Sequence, residues 1–346
     1  VTIARIFFKS KKSLSYCFKY INIVVKKQQY SNNYLVDFIK LLFLRYNIIM
    51  NIKNYLFLVL FLFTTQVSSV DADKVKDAIK QGVKDEAVGI ATSYFEKYFD
   101  VFELSIDSPD DLSSASILVV KGLSDPDDIK HTWFTQGSVF VDAGRATLNL
   151  GLGYRHLTAD DKLLLGVNTF YDQEYPYRHG RASLGLEART TVGEINFNRY
   201  WATTGWQAGQ NDLDEHALGG LDLEIGIPLP YMNWATFYAR AFKWHSVIKG
   251  EKDSIGNDLS FRAEVPVIPG LAIEAGHRQY SSNETSDNFL KIEYDLIQGA
   301  KKEKAPLFTS YAYKMGSMAD QRLKKVRREN KIYKQMKSST VSVKGF

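Results

Sequence analysis

Residues 218–229 read LGGLDLEIGIPL, and their order decides the fold. Leu221, Leu223, Ile225, Ile227 and Leu229 fall on one side of an extended chain, and Gly220, Asp222, Glu224 and Gly226 on the other. A period of two marks a β-strand with one apolar face. Outward from this run the period persists. Leu184, Leu186 and Ala188 alternate with Ser183, Gly185, Glu187 and Arg189, and Leu148, Leu150 and Leu152 with Asn149, Gly151 and Gly153. Leu290, Ile292 and Tyr294 alternate with Lys291, Glu293 and Asp295. Such runs predict twelve strands, near 101–107, 115–123, 131–143, 145–156, 162–172, 181–190, 193–202, 217–228, 234–244, 258–267, 270–280 and 288–296.

A soluble sandwich also alternates. Two features favour a membrane barrel. Most of these runs are long enough for a tilted crossing of the hydrocarbon layer, and their polar face is rich in Gly and in charges of both signs, as a crowded lumen requires. Connection lengths add a separate argument. Those after even-numbered strands are short (157–161, 191–192, 228–233, 268–269), and those after odd-numbered strands are mostly long (173–180, 203–216, 245–257, 281–287). Short periplasmic turns and long external loops are the barrel pattern. The connection at 144 is tight and that at 124–130 is longer, against the rule. The fold class expected is all-β, a twelve-stranded antiparallel transmembrane β-barrel over 101–298.

The segments before the barrel read differently. Met50 opens MNIKNYLFLVLFLFTTQVSSVDADK, with Lys53 as a basic start, residues 55–63 as an apolar core and Val70-Asp71-Ala72 as a small-residue exit. This is the signal-peptide pattern, too short to span a bilayer as a helix, so residues 50–72 are expected to be cleaved near Ala72. Residues 1–49 show no sustained period and read as an N-terminal extension, either ahead of a true start at Met50 or as a long signal extension. Residues 73–100 carry Val75, Ile79, Val83, Val88, Ala91, Tyr94, Phe95 and Tyr98 at helical spacing and predict a short periplasmic helical segment.

The net charge of +5 conceals a division. Residues 1–49 hold nine Lys/Arg against one acid, residues 50–72 one of each, and residues 299–346 thirteen against three, so the body at 73–298 carries −13. An acidic body argues against nucleic acid as a partner, because duplex binding needs a basic face on the folded domain. The single Cys, Cys17, precedes the expected mature start and leaves no thiol chemistry. His131, His156, His179, His216, His245 and His277 show no metal-ligand spacing, and GxSxG and Walker-type loops are missing. No catalytic residue, metal or cofactor is therefore expected. Asp214 with His216 is the best hydrolase pair in a long loop, and solvated loop residues explain it better. Tyr171, Tyr175, Tyr177, Tyr200, Trp201, Trp206, Trp234, Tyr238, Trp244 and Tyr280 cluster towards strand ends and read as a membrane-interface girdle.

An ordered series of motifs resembles the membrane domain of the intimin/invasin inverse autotransporters. It comprises LLLGVNTFYDQ (163–173), RASLGLE (181–187), NRYW (198–201) with GW (205–206), GGLD (219–222) leading to PLP (228–230), and VRRENKI (326–332). The resemblance covers roughly residues 90–335. It implies a twelve-stranded barrel in the bacterial outer membrane, reached by Sec export, whose C-terminal linker threads back through the lumen to the cell surface. In that family the linker carries an immunoglobulin-like and lectin-like passenger that mediates adhesion or invasion. Here residues 299–346 read as a lumenal linker and short tail with no passenger behind it, so a host or surface receptor is expected only where a passenger follows. The other partners expected are outer-membrane lipid, the barrel-assembly machinery and periplasmic chaperones. With the resemblance, Arg322, Lys324, Lys325, Arg327, Arg328, Glu329 and Asn330 are the lumenal linker residues. The lumen-facing acids are Asp142, Asp172, Glu187, Glu194, Asp222, Glu224, Glu264, Glu274, Glu293 and Asp295. The alternative is that these acids pair with the lumen's own Arg155, Arg189, Arg240, Arg262 and Arg278 while the linker charges are solvated. The function expected is an anchor and translocation barrel exporting its own C-terminal segment. A free-standing porin-like channel is the runner-up and a barrel hydrolase a weaker third. The alternation of residues 340–346, ending in Phe346, fits either a barrel-assembly signal or the first strand of a surface module.

Overall fold

The computed structural model describes residues 95–107, 114–142, 144–210, 213–281, 286–297 and 306–338. The extension, the signal segment and most of the expected helix lie outside them. Of that helix only a turn at Phe95 is described, in which Tyr98 N–H and Phe99 N–H both donate to Phe95 O at 2.9 Å.

Fifteen strands follow in chain order: β1 (Val101–Asp107), β2 (Ser114–Gly122), β3 (His131–Asp142), β4 (Arg145–Leu157), β5 (Leu164–Tyr175), β6 (Gly180–Thr190), β7 (Gly193–Ala202), β8 (Gln207–Ala208), β9 (Leu213–Ala217), β10 (Gly220–Leu229), β11 (Met232–Trp244), β12 (Ser254–Glu264), β13 (Leu271–Tyr280), β14 (Asp287–Asp295) and β15 (Lys334–Ser338). Twelve of them close an antiparallel barrel, β1 to β7 and β10 to β14, each paired with its neighbour in sequence order. The closing seam pairs β1 with β14 from Glu103 opposite Asp295 to Asp107 opposite Lys291. Closure leaves no unpaired edge, which is what lets strands cross a bilayer. No described helix is long and apolar enough to cross one.

All twelve predicted strands are present, β1 and β7 with the predicted bounds and the others with shifted ends. β12 starts at Ser254 rather than 258 and stops at Glu264 rather than 267. Pro266 has no N–H for the ladder, and residues 265–270 form a turn closed by Val265 N–H to Leu271 O at 2.8 Å. β10 starts at Gly220, because Ala217 belongs to β9 in a second, three-stranded sheet ordered β15-β9-β8. The connection expected as a plain loop at 203–216 therefore contains two strands.

The outward face carries Leu184, Leu186, Ile195, Phe197, Leu223, Ile225, Ile227, Phe237, Leu259 and Phe261, all exposed. On a soluble protein so broad an apolar wall would aggregate; around a barrel it is the lipid-facing band. The inward face packs glycines against rings. A Cβ at Gly153 would overlap the Phe134 ring and one at Gly151 the Phe170 ring, so glycine is what lets both aromatics lie flat on the lumen wall. Below them residues 306–318 run along the end of the barrel that bears the short turns. Thr309 N–H donates to Tyr231 O at 2.9 Å, Thr191 Oγ1 to Lys314 O at 2.7 Å, and Met318 N–H to Asp161 O at 2.7 Å. A single 3-10 turn, Ala319–Gln321, then directs the chain into the lumen.

Candidate functional site

The lumen is the site. Residues 322–333 cross it without a strand partner, so their backbone groups must find side chains or stay unpaired, at a cost. Barrel arginines and asparagines answer them. Arg155 Nη1 donates to Arg322 O at 2.7 Å and Lys324 O at 2.6 Å, and Arg189 Nη2 to Lys325 O at 3.0 Å. Asn198 donates to Arg327 O at 3.1 Å, and Asn149 to Asn330 O at 3.2 Å. Arg181 donates to Glu329 O at 2.7 Å and Lys331 O at 3.0 Å. In the other direction Val326 N–H donates to Gln136 at 2.8 Å and Glu329 N–H to the Tyr200 hydroxyl at 2.9 Å.

The side chains supply the charge pairing. Arg327 forks onto Glu224 (Nε–Oε1 2.5 Å, Nη2–Oε2 3.0 Å), reaches Glu274 at 3.1 Å and lies 3.7 Å above the Tyr238 ring. Arg328 forks onto Asp172 at 2.7 and 3.0 Å and covers the Phe170 ring at 4.3 Å. The Arg328 and Asp172 side chains are both wholly buried, which makes this pair far stronger than a surface bridge. Lys325 bridges Glu103 at 2.7 Å and Glu293 at 2.6 Å, Lys324 meets Glu264 at 3.0 Å, and Lys331 meets Asp142. Glu329 reverses the sense and lies 3.2 Å from Arg240. Val326 is the apolar member, packed among Val101, Leu118, Val120, Phe134 and Phe170.

The expected linker residues and acids thus meet in one channel, with differences. Among the described residues Arg322 meets no carboxylate; it donates to the Ala319 and Asp128 carbonyls at the turn end of the lumen. Glu187 pairs with Arg155 at 2.5 Å and Arg189 at 2.8 Å, and Glu194 with Arg189 at 3.3 Å. Asp222 pairs with Arg240 at 3.0 Å. Asp295 accepts the Ile297 N–H at 3.1 Å at the turn-end mouth. Both alternatives therefore hold at once: some acids serve wall arginines, others the linker, and Asp172 serves Arg181 and Arg328 together. The girdle expectation needs correction. Tyr200, Tyr238 and Trp244 are buried on the lumen side, and Tyr280 packs on Phe242 within the same cluster, whereas Tyr171 and Trp201 are exposed on the outer wall. The parity of Tyr200 with Asn198 and Asn196 carried that information.

At the loop end the linker becomes β15 and pairs with β9 from Lys334 opposite Ala217 to Ser338 opposite Leu213. Tyr333 stacks on Trp244 at 4.7 Å. Beneath this small sheet Arg145 lies 2.8 Å from Glu174 and 2.7 Å from Glu215, Lys334 meets Glu174, and His179 Nε2 lies 3.0 Å from Glu215. Burial raises the Glu215 carboxyl, but the Arg145 guanidinium and the Gln210 N–H more than reverse this and hold it at about 2. Burial depresses both the His179 imidazole and the Lys334 ammonium. Ligand atoms of Glu174, His179 and Glu215 lie within 4.8 Å of one another, a donor set able to hold a metal ion. Arg145 and Lys334 already balance its two carboxylates, so charge does not demand one. Sequence spacing gave no hint of this cluster, since Glu215 joins the neighbouring Glu174 and His179 from a distant segment. Asp214 and His216 do not assemble into a catalytic pair: His216 Nδ1 is 2.6 Å from Ala217 O, and its ring meets Trp206 edge-on. Beside the linker a cavity of about 430 Å³ remains, bordered by Asp107, Ser114, Phe140, Asp287, Phe289 and Lys291.

A closed twelve-stranded barrel with an apolar outer wall and a charged, threaded lumen is the architecture of an outer-membrane β-barrel. The chain belongs to the family described as inverse autotransporter, beta-domain, which matches residues 62–330. Over 169 residues it is 27% identical to invasin from Yersinia enterocolitica, covering 47% of this chain and 18% of invasin. Over 193 residues it is 23% identical to the inverse autotransporter adhesin YeeJ from Escherichia coli strain K12, covering 51% of this chain and 8% of YeeJ. The chain therefore spans a small part of these two relatives. Among solved structures, a chain from a study of the in-meso crystallization of membrane proteins superposes with a TM-score of 0.59 at 19% identity. It covers 69% of this chain and all of that one.

Proposed function

We propose that the barrel is an outer-membrane anchor whose lumen conducts and then holds its own C-terminal segment, as befits a member of an adhesin-type family. The turn end faces the periplasm and the loop end the exterior. The observation that carries this reading is the continuous path of residues 306–338 along the turns, up the lumen and into β15 at the loop end. Its ends are fixed at opposite mouths of the barrel, with Met318 N–H on Asp161 O at the turn end and β15 on β9 at the loop end. Every charge the segment brings into the lumen interior meets an opposite charge there. A solvated pore would not need this matching, whereas a resident polypeptide in a confined channel does. No step of this function calls for catalysis, and the proposal assigns none. Export by the signal segment, the assembly machinery and chaperones complete the reading. A receptor belongs to it only through whatever the C-terminal segment presents.

The test is an epitope placed after Phe346 and probed on intact cells, with a periplasmic protein as control. Surface labelling of the epitope is expected. Labelling only after permeabilisation would contradict export and favour a porin-like channel.

A further inference from the structure

On the outward faces of the twelve barrel strands, formal charge occurs among the described residues at three positions only: Lys121, Arg199 and Lys243. Every strand acid points inward. A cation on a lipid-facing wall is unfavourable unless an anion at the interface answers it. Lys121 is answered at the turn end by Asp100 at 3.3 Å. Arg199 and Lys243 are at the other end and share one row: Leu221 is the register partner of both, on β7 and β11. Strands spaced about 4.8 Å apart place their Cα atoms roughly 10 Å from each other, a gap two long side chains can close over one bridging group.

The groups around them leave cationic charge in excess. Lys243 Nζ lies 2.9 Å from Asp253, which also accepts the Ser246 N–H at 2.9 Å and faces His245 Nδ1 at 3.3 Å. Arg199 has no carboxylate among the described residues. One N–H donates to His245 Nε2 at 2.9 Å, and the guanidinium lies 5.9 Å from the ring of Trp201, itself outward and exposed. Because a guanidinium only donates, His245 Nε2 accepts from Arg199 and brings it no negative charge. Two cations share one acid. Trp residues on a barrel wall lie at headgroup depth, which sets Arg199 at the boundary between acyl chains and headgroups.

We propose that Arg199 and Lys243 form a binding site for the phosphomonoester headgroup of a membrane lipid in the leaflet at the loop end. The Arg199 fork takes two phosphate oxygens and the Lys243 ammonium a third, while Leu221 between them and Trp201 beside them pack on the lipid's upper chain segments. A water-borne acidic protein is disfavoured because both cations lie on the wall that the bilayer covers. The site needs the folded barrel but neither the linker nor export, so it stands or falls separately from the proposed function.

The purified full-length barrel is incubated in detergent with bisphosphorylated lipid A or with the same lipid stripped of its phosphates. Lipid retained through gel filtration is counted by mass spectrometry. Wild type is expected to retain the phosphorylated form about tenfold better than the stripped form, as a charge-assisted fork implies. R199Q/K243Q should bring it down to the stripped level, and K121Q should leave it unchanged. Heat-modifiable migration verifies folding, and R199Q alone serves should the double variant not fold. Equal retention by wild type and the Arg199 variants, equal retention of both lipids, or displacement by excess inorganic phosphate would each overturn the proposal.

Discussion

Arg328 shows how a single residue is committed to its place. Its guanidinium is wholly buried, forks onto Asp172, covers Phe170 and donates to Ser183 at 3.2 Å. Removing one partner of such a pair strands a buried charge, at a cost of about 3–5 kcal/mol. Here Arg181 at 2.9 Å from the same carboxylate softens the loss for Asp172. Reversing the sign is more severe. R327E/R328E sets two carboxylates against Glu224, Glu274 and Asp172, and the linker should leave the lumen while the wall keeps its own Arg–acid pairs. Planar-bilayer recordings should show higher unit conductance than wild type in a protein that still migrates as a folded barrel; unchanged conductance would count against a resident linker. Gly153 acts by absence. G153V drives a side chain into the Phe134 ring and should destabilise the barrel by roughly 1–3 kcal/mol, read as a lower unfolding midpoint in denaturant.

At the scale of elements, the small sheet of β8, β9 and β15 depends on ionised groups in a way the barrel ladder does not. Glu215 is held at about 2, below its ordinary 4.5, so its contribution to stability is complete above pH 4.5 and is lost as pH falls towards 2. His179 is depressed below 6.5 by burial, so protonating it in acid also opposes the folded arrangement. Pepsin cleavage within residues 203–219 should therefore accelerate between about pH 4.5 and 2 more than its activity on an unstructured peptide does. The barrel, closed by twelve ladders, should survive in the same samples. E215Q, which cannot ionise, should flatten the profile. This cap was not legible in the sequence. β8 has two residues and β9 five, too short for a period of two to stand out, and β15, the other partner of β9, comes from over a hundred residues away. The barrel strands were legible for the opposite reason. Each has an inner and an outer wall of different polarity, so alternation marks all twelve, and errors fall at ends such as β12, where Pro266 rather than hydropathy stops the ladder.

For the whole molecule, the charge division along the chain and the topology describe one arrangement. An acidic barrel body receives a basic C-terminal segment, and the pairs Lys325–Glu103, Arg327–Glu224 and Arg328–Asp172 fix its register in the lumen. The existence of that pairing was legible from composition once the family resemblance supplied the path, but its details were not. Sequence could not show that Arg155, Arg181 and Arg189 would answer linker carbonyls, because backbone demand depends on which segment lacks a strand partner. Nor did it separate Tyr200 and Trp244 from the outer girdle while strand-end position was weighed above parity. The central claim is that residues 322–333 reside in the lumen of the membrane-embedded protein. The direct measurement is cross-linking of Q136C to V326C in a C17S background, in intact membranes, with a short thiol-specific reagent; the two positions meet where Val326 N–H donates to Gln136 at 2.8 Å. An intramolecular cross-link, seen as faster migration after denaturation and missing from either single variant, is the expected result. A cross-link no more frequent than that from Q136C to a cysteine at exposed Phe308 would contradict the account.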